Sequence, residues 1–185
     1  MNEPYELGAL PTNRRMTTVD ERMIAAPLQV IFELAARVEQ WPELLGHYRS
    51  VRFLDRRHDG GGLVEMSANR PFRGVNWPTS WTSLMRVTPP GGVDAPSIRF
   101  RHVRGVTKGM DVEWQFESSP NGGVTHVRIV HVWNGPRWPL IGVTVARGVI
   151  GPVFVHAIAS RTLAGLAEAA ERITETMSRS EVSSG

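Results

Sequence analysis

Cysteine is absent from all 185 residues. Disulfides, thiol catalysis, Fe–S clusters and Cys-ligated zinc are thereby excluded. Lysine is nearly missing as well, with Lys108 alone against twenty arginines. The formal net charge is only +3, so the isoelectric point near 10.1 reflects the basicity of guanidinium more than a cationic excess. The arginines are scattered, usually with Asp or Glu nearby, and form no basic stripe with interleaved aromatics. Nucleic acid is therefore not an expected partner. No stretch reaches the ~18 apolar residues of a membrane span, and no transmembrane segment is expected. Residues 1–15 lack an apolar run and carry Glu3 and Glu6 early, which fits neither a signal nor a transit peptide. A cytoplasmic protein is the simplest expectation.

Signatures of phosphate and metal binding are missing too. Gly60, Gly61 and Gly62 lie between strand-like segments rather than ahead of a helix, and read as a hairpin turn. His126 and His131 are five apart, too irregular for one strand face, and no acid completes a ligand spacing. Neither a metal nor another cofactor is expected, and no Ser–His–acid triad is legible.

Apolar residues make up 41% of the chain and charged residues 21%, the balance of one globular domain. That domain is expected over residues 16–177, between a flexible N-terminal arm (1–15) and a flexible tail (178–185). Residues 16–24 alternate enough for an edge strand. Ala26 and Pro27 open a helix in which Val30, Ile31, Leu34 and Val38 recur on one stripe. Pro42 starts a second, short helix that Gly46 stops. Strands are then expected over 48–54, 63–70, 77–87, 97–103, 109–117 and 123–133, punctuated by Gly, Pro and Asn turns. From about Trp138 to Met177 the period becomes helical, with a break near Pro152. The order strand, two helices, meander, long helix predicts an α+β domain: a curved antiparallel sheet wrapped around the C-terminal helix, enclosing an apolar cavity.

These residues resemble the START-like (helix-grip, SRPBCC) superfamily, and specifically its polyketide cyclase/dehydrase branch. The likeness is carried by Ala26 and Pro27 before a helix, the run from Val38 through Trp41, Pro42 and Leu44 to Tyr48, and Trp81, Thr82 and Ser83 in a central strand. Gly109, Met110, Glu113 and Trp114 continue it, with Ser160, Arg161 and Thr162 in the last helix. The resemblance implies a helix-grip fold and a hydrophobic small-molecule ligand or substrate. It assigns Trp41, Tyr48, Trp81 and Ser83 to the pocket. Two residues beyond Ser83 the family's pattern continues with an inward arginine that orients a polyketide. Met85 stands there, and Arg86 should point to the opposite face.

Cyclisation needs a folded substrate, a donor for the carbonyl that becomes an enolate, and a base for the acidic carbon. Tyr48, Ser83 and His131 are the catalytic candidates, with Trp41, Arg70, Trp81, Met85, His102, Trp114 and His156 as ligand-binding candidates. His131 shares a face with Val127, Ile129 and Trp133, where it is either a pocket group or a satisfied histidine. Only one of Arg101 and His102 can face the cavity. Trp114 also reads as a core filler, and His156 also as a solvated helix residue. Two functions stay open: a cyclase/dehydrase (aromatase-like), or a non-catalytic carrier of a lipid, quinone or polyketide. Met85 favours the carrier. As a third option, the arm or an Arg-rich face would offer a docking surface for a biosynthetic synthase or a membrane surface.

Overall fold

A computed structural model describes residues 6–72, 75–105, 107–135 and 152–182. The chain begins with strand β1 (Met16–Ile24), helix α1 (Leu28–Ala36), a 3-10 turn (Val38–Gln40) and the short helix α2 (Trp41–Leu44). A meander follows: β2 (Tyr48–Arg56), β3 (Gly62–Phe72), β4 (Val75–Thr88), β5 (Ser97–Gly105), β6 (Asp111–Ser118) and β7 (Thr125–Trp133). The long helix α3 (Pro152–Val182) comes last. All seven strands form one antiparallel sheet in the order β1-β7-β6-β5-β4-β3-β2. This is the helix-grip, α+β arrangement. No helix among the described residues is long and apolar enough to cross a membrane.

Period-two patterning decides which face is buried. On β6 the side chains of Val112, Trp114 and Phe116 are buried, while Glu113 and Gln115 are only half-buried on the other face. The inward face of α3 carries Val155, Ala159, Leu163, Leu166, Ala167 and Ala170 at helical spacing, all buried. Helix α2 approaches it so closely that a Cβ on Gly165 would lie 2.4 Å from Leu45 Cδ2. Burial of these apolar faces, at about 25 cal/mol per Å2, is the main force holding helix to sheet.

A register shift between Thr82 and Ser83 marks a bulge where β4 meets β5. Beyond it Trp81 pairs with Gly105, whose φ of +92° favours glycine and whose Cβ would sit 2.4 Å from the Ser80 carbonyl oxygen. The glycine lets Trp81 lie close against β5.

Both ends differ from expectation. The N-terminal segment is docked where a loose arm was expected: Leu7 is buried, and the Leu7 and Gly8 carbonyls accept hydrogen bonds from Arg101 and Arg99 on the sheet's outer face. Those arginines also pair with Asp111 and Glu113, so the arm completes a polar layer that would otherwise be short of acceptors. Helix α3 continues to Val182, past the expected end at Met177. Its last turns are polar but continue the backbone ladder, with Ser178 Oγ donating to the Thr174 carbonyl. The helical reading of 138–151 and the break ahead of Pro152 lie outside the described residues.

Candidate functional site

The sheet's concave face and α3 converge on one pocket. Trp41 of α2 stands edge-on to Tyr48 at the start of β2, with ring centroids 5.1 Å apart, and lies 5.7 Å from Trp114 of β6. Tyr48 continues to Trp81 at 6.3 Å, and Trp81 stacks on His102 of β5 at 5.9 Å and 22°. A continuous run of rings therefore lines one side. Trp41 Nε1–H donates to the Leu34 carbonyl of α1, which turns the indole's polar edge away from the pocket. Opposite the rings lie Val155, Ile158, Ala159 and Thr162 of α3.

Five polar side chains interrupt these walls: Tyr48, His102, Thr107, His131 and Thr162. The His102 ring is oriented by Thr107, whose Oγ1 lies 2.6 Å from Nδ1, while the His102 backbone N–H donates to the Met110 carbonyl and its backbone carbonyl accepts from Gly109 N–H. The β5–β6 turn is thereby tied to the pocket wall. The space between the walls is about 70 Å3, room for a few waters, against the ~300 Å3 or more of typical ligand pockets.

The sequence pattern of the polyketide cyclase/dehydrase and lipid transport family matches residues 24–151. The chain belongs to that family. A putative polyketide cyclase of Streptomyces halstedii is 32% identical over 108 residues, 57% of this chain and 91% of that one. Among solved structures, the Zhui aromatase/cyclase of Streptomyces sp. R1128 superposes with a TM-score of 0.67 at 17% identity, covering 85% of this chain and 94% of that one. A START superfamily protein of Mycobacterium smegmatis gives 0.59 at 15%, covering 87% and 98%. At these identities the superpositions speak for the fold.

In this polyketide cyclase/dehydrase-family chain the structure brings Trp41, Tyr48, Trp81, His102, Trp114 and His131 to the pocket. Three expected residues lie elsewhere. Ser83 shares a face with Trp81 but is fully buried one repeat further along, opposite Val64, with no hydrogen-bond partner for its Oγ among the described residues. Met85 follows it, buried between Gly62 and Phe100 in register; on β4 the pocket is lined by Trp81, while Phe100 lines it from β5 at the level of Met85. Arg86 is exposed, as strand alternation requires. His156 stands on the side of α3 that faces β1, where its Nδ1 pairs with the buried carboxylate of Asp20. The Arg70 side chain lies outside the described residues.

Sequence reasoning passed over several lining residues. Phe100 and Val112 sit two positions from His102 and Trp114, so alternation alone would have found them, as it put Ile129 on the face of His131. Met66 needed the β3–β4 register that sets it opposite Trp81. Thr107 needed the fold of its turn.

The Asp20–His156 pair has a consequence for stability. Burial holds the Asp20 carboxyl above its usual value, opposed by the attraction of His156. Between the ordinary and the raised value the folded state binds more protons than the unfolded one, so stability falls as pH rises through that window. The stability of the wild type relative to Asp20→Asn should therefore fall as pH climbs from about 4. Urea unfolding across that range measures it, and a wild type that gains on the variant as pH rises would contradict the burial described.

Proposed function

We propose that this chain holds a hydrophobic polyketide-type intermediate against the ring wall and promotes its cyclisation and dehydration. The observation that carries the reading is that Tyr48, His102 and His131 open onto the same aromatic-walled pocket. Family membership and the putative polyketide cyclase relative support the general kind.

The chemistry asked of these groups is modest. A base takes a proton from a methylene between two carbonyls, and the resulting carbanion attacks a third carbonyl carbon. The oxygen formed there is protonated, then leaves as water with a neighbouring C–H proton. An imidazole of His131 or His102 suits the base, and the Tyr48 hydroxyl suits the donor at the developing oxyanion. Trp41, Trp81 and Trp114 hold the chain folded, which lowers the entropic part of the barrier. The pocket must widen to admit such a ligand, and the thioethers of Met66 and Met110 are the lining groups best able to repack. A cytoplasmic setting beside a biosynthetic synthase belongs to the same proposal.

One observation favours the carrier reading instead. With Met85 buried and Ser83 outside the pocket, the described residues of the walls include no Asp, Glu, Lys or Arg to polarise a poly-β-ketone. Incubation with a linear poly-β-ketone thioester, followed by mass analysis, separates the two. The cyclase reading expects loss of water and a cyclised product, with Tyr48→Phe and His131→Ala each slower by about 100-fold or more. Recovery of a bound, unchanged substrate from the wild type would establish the carrier.

A further inference from the structure

Thr162 is the polar side chain that α3 contributes to the pocket, and it is 1% exposed. Its hydroxyl proton is committed: Oγ1 donates to the Ile158 carbonyl one turn back at 2.9 Å. His47 Nε2 lies 3.0 Å from the same oxygen. Because the hydroxyl proton points to Ile158, the oxygen accepts here and Nε2 carries the ring proton. Burial and the charge of Arg161 hold the His47 pKa below its usual value, so the ring stays neutral at pH 7. The imidazole is also packed against Tyr48, with centroids 4.7 Å apart, which fixes its aim. A hydroxyl oxygen has two acceptor sites, and His47 uses one.

This arrangement makes Thr162 an acceptor. A ligand carbonyl has no proton to offer it, whereas an enol or phenol does. Resting on the pocket reading above, we infer that Thr162, positioned by His47, forms a subsite that takes the O–H of an enolised or aromatised ligand. The site thereby favours the later, hydroxylated rings of a cyclisation sequence over the poly-ketone that enters it. His47 acts through Thr162 as a positioning residue.

The test uses two probes of equal shape, 2-naphthol and 2-methylnaphthalene, titrated into the full chain. The methyl compound is the more hydrophobic, so the informative quantity is the ratio of the two dissociation constants and how it changes between variants. Thr162→Val, nearly isosteric, should shift that ratio about fivefold to tenfold against naphthol, the worth of one hydrogen bond. Thr162→Ser should keep the wild-type ratio. His47→Gln, whose amide N–H can occupy the place of Nε2–H, should keep it as well, and His47→Leu should lose part of it. On unaltered protein, the His47 Nε2–H proton resonance should move with 2-naphthol and stay with 2-methylnaphthalene, a readout that survives if a variant misfolds. Equal binding ratios in wild type and Thr162→Val, or equal resonance shifts with both probes, would overturn the subsite while leaving the pocket intact. If neither probe binds the wild type, the pocket reading itself falls and takes the subsite with it.

Discussion

Trp41→Ala should cost the protein about 3–5 kcal/mol of folding stability. The side chain is 2% exposed and touches the rings of Tyr48, Phe100 and Trp114. Helix α2 has only four residues, so its own backbone bonds hold it weakly, and Trp41 is what fastens it to the sheet. Alanine removes the ring contacts, opens a cavity the size of an indole, and leaves the Leu34 carbonyl without its donor. Phenylalanine keeps most of the apolar area and loses mainly the hydrogen bond, so Trp41→Phe should cost about 1–2 kcal/mol. Denaturant unfolding of the two variants gives the comparison. A loss below about 1 kcal/mol for alanine would mean that the rings do not pack as described.

Met85→Arg is the second large effect, again about 3–5 kcal/mol, through a charge left without a partner. Met85 is 1% exposed, between Gly62 and Phe100, with fully buried Val64 and Ile98 nearby on the adjoining strands. The buried acids among the described residues are Asp20 on β1 and Asp111 on the outer face of β6, neither placed to neutralise a guanidinium at this point. Met85→Leu keeps the volume and should cost less than about 1.5 kcal/mol. Thermal unfolding distinguishes them. An arginine variant of wild-type stability would show that the pocket reaches Met85 after all, and would restore the case for a charged substrate anchor there.

Much of the fold was legible from local pattern. Alternation on β5, β6 and β7 grouped the residues that share a face; it allowed only one of Arg101 and His102 to point inward, since a strand cannot point neighbouring side chains the same way, and the structure puts His102 there. The glycine-rich turns divided the strands, and the helical stripe of Ile31, Leu34 and Val38 found its core. The aromatics Trp41, Tyr48 and Trp81 came from the family resemblance, and they meet in space because α2, β2 and β4 carry them to one end of the sheet.

Depth was not legible. Ser83 and Met85 share a face with Trp81, and period two says nothing of how far along a strand a pocket extends. That is decided by sheet curvature, the bulge at Thr82 and Ser83, and the side chains that neighbouring strands bring alongside. Pairs across long sequence separations were equally hidden: His156 with Asp20, His47 with Thr162, and the docking of Leu7 under Arg101. The sequence by itself determined the order of elements, the face each residue presents and the absence of thiol chemistry, because these follow from local periodicity and composition. Tertiary structure alone decided which inward residues border space and which border one another, because that depends on distances between segments that only the folded chain brings together.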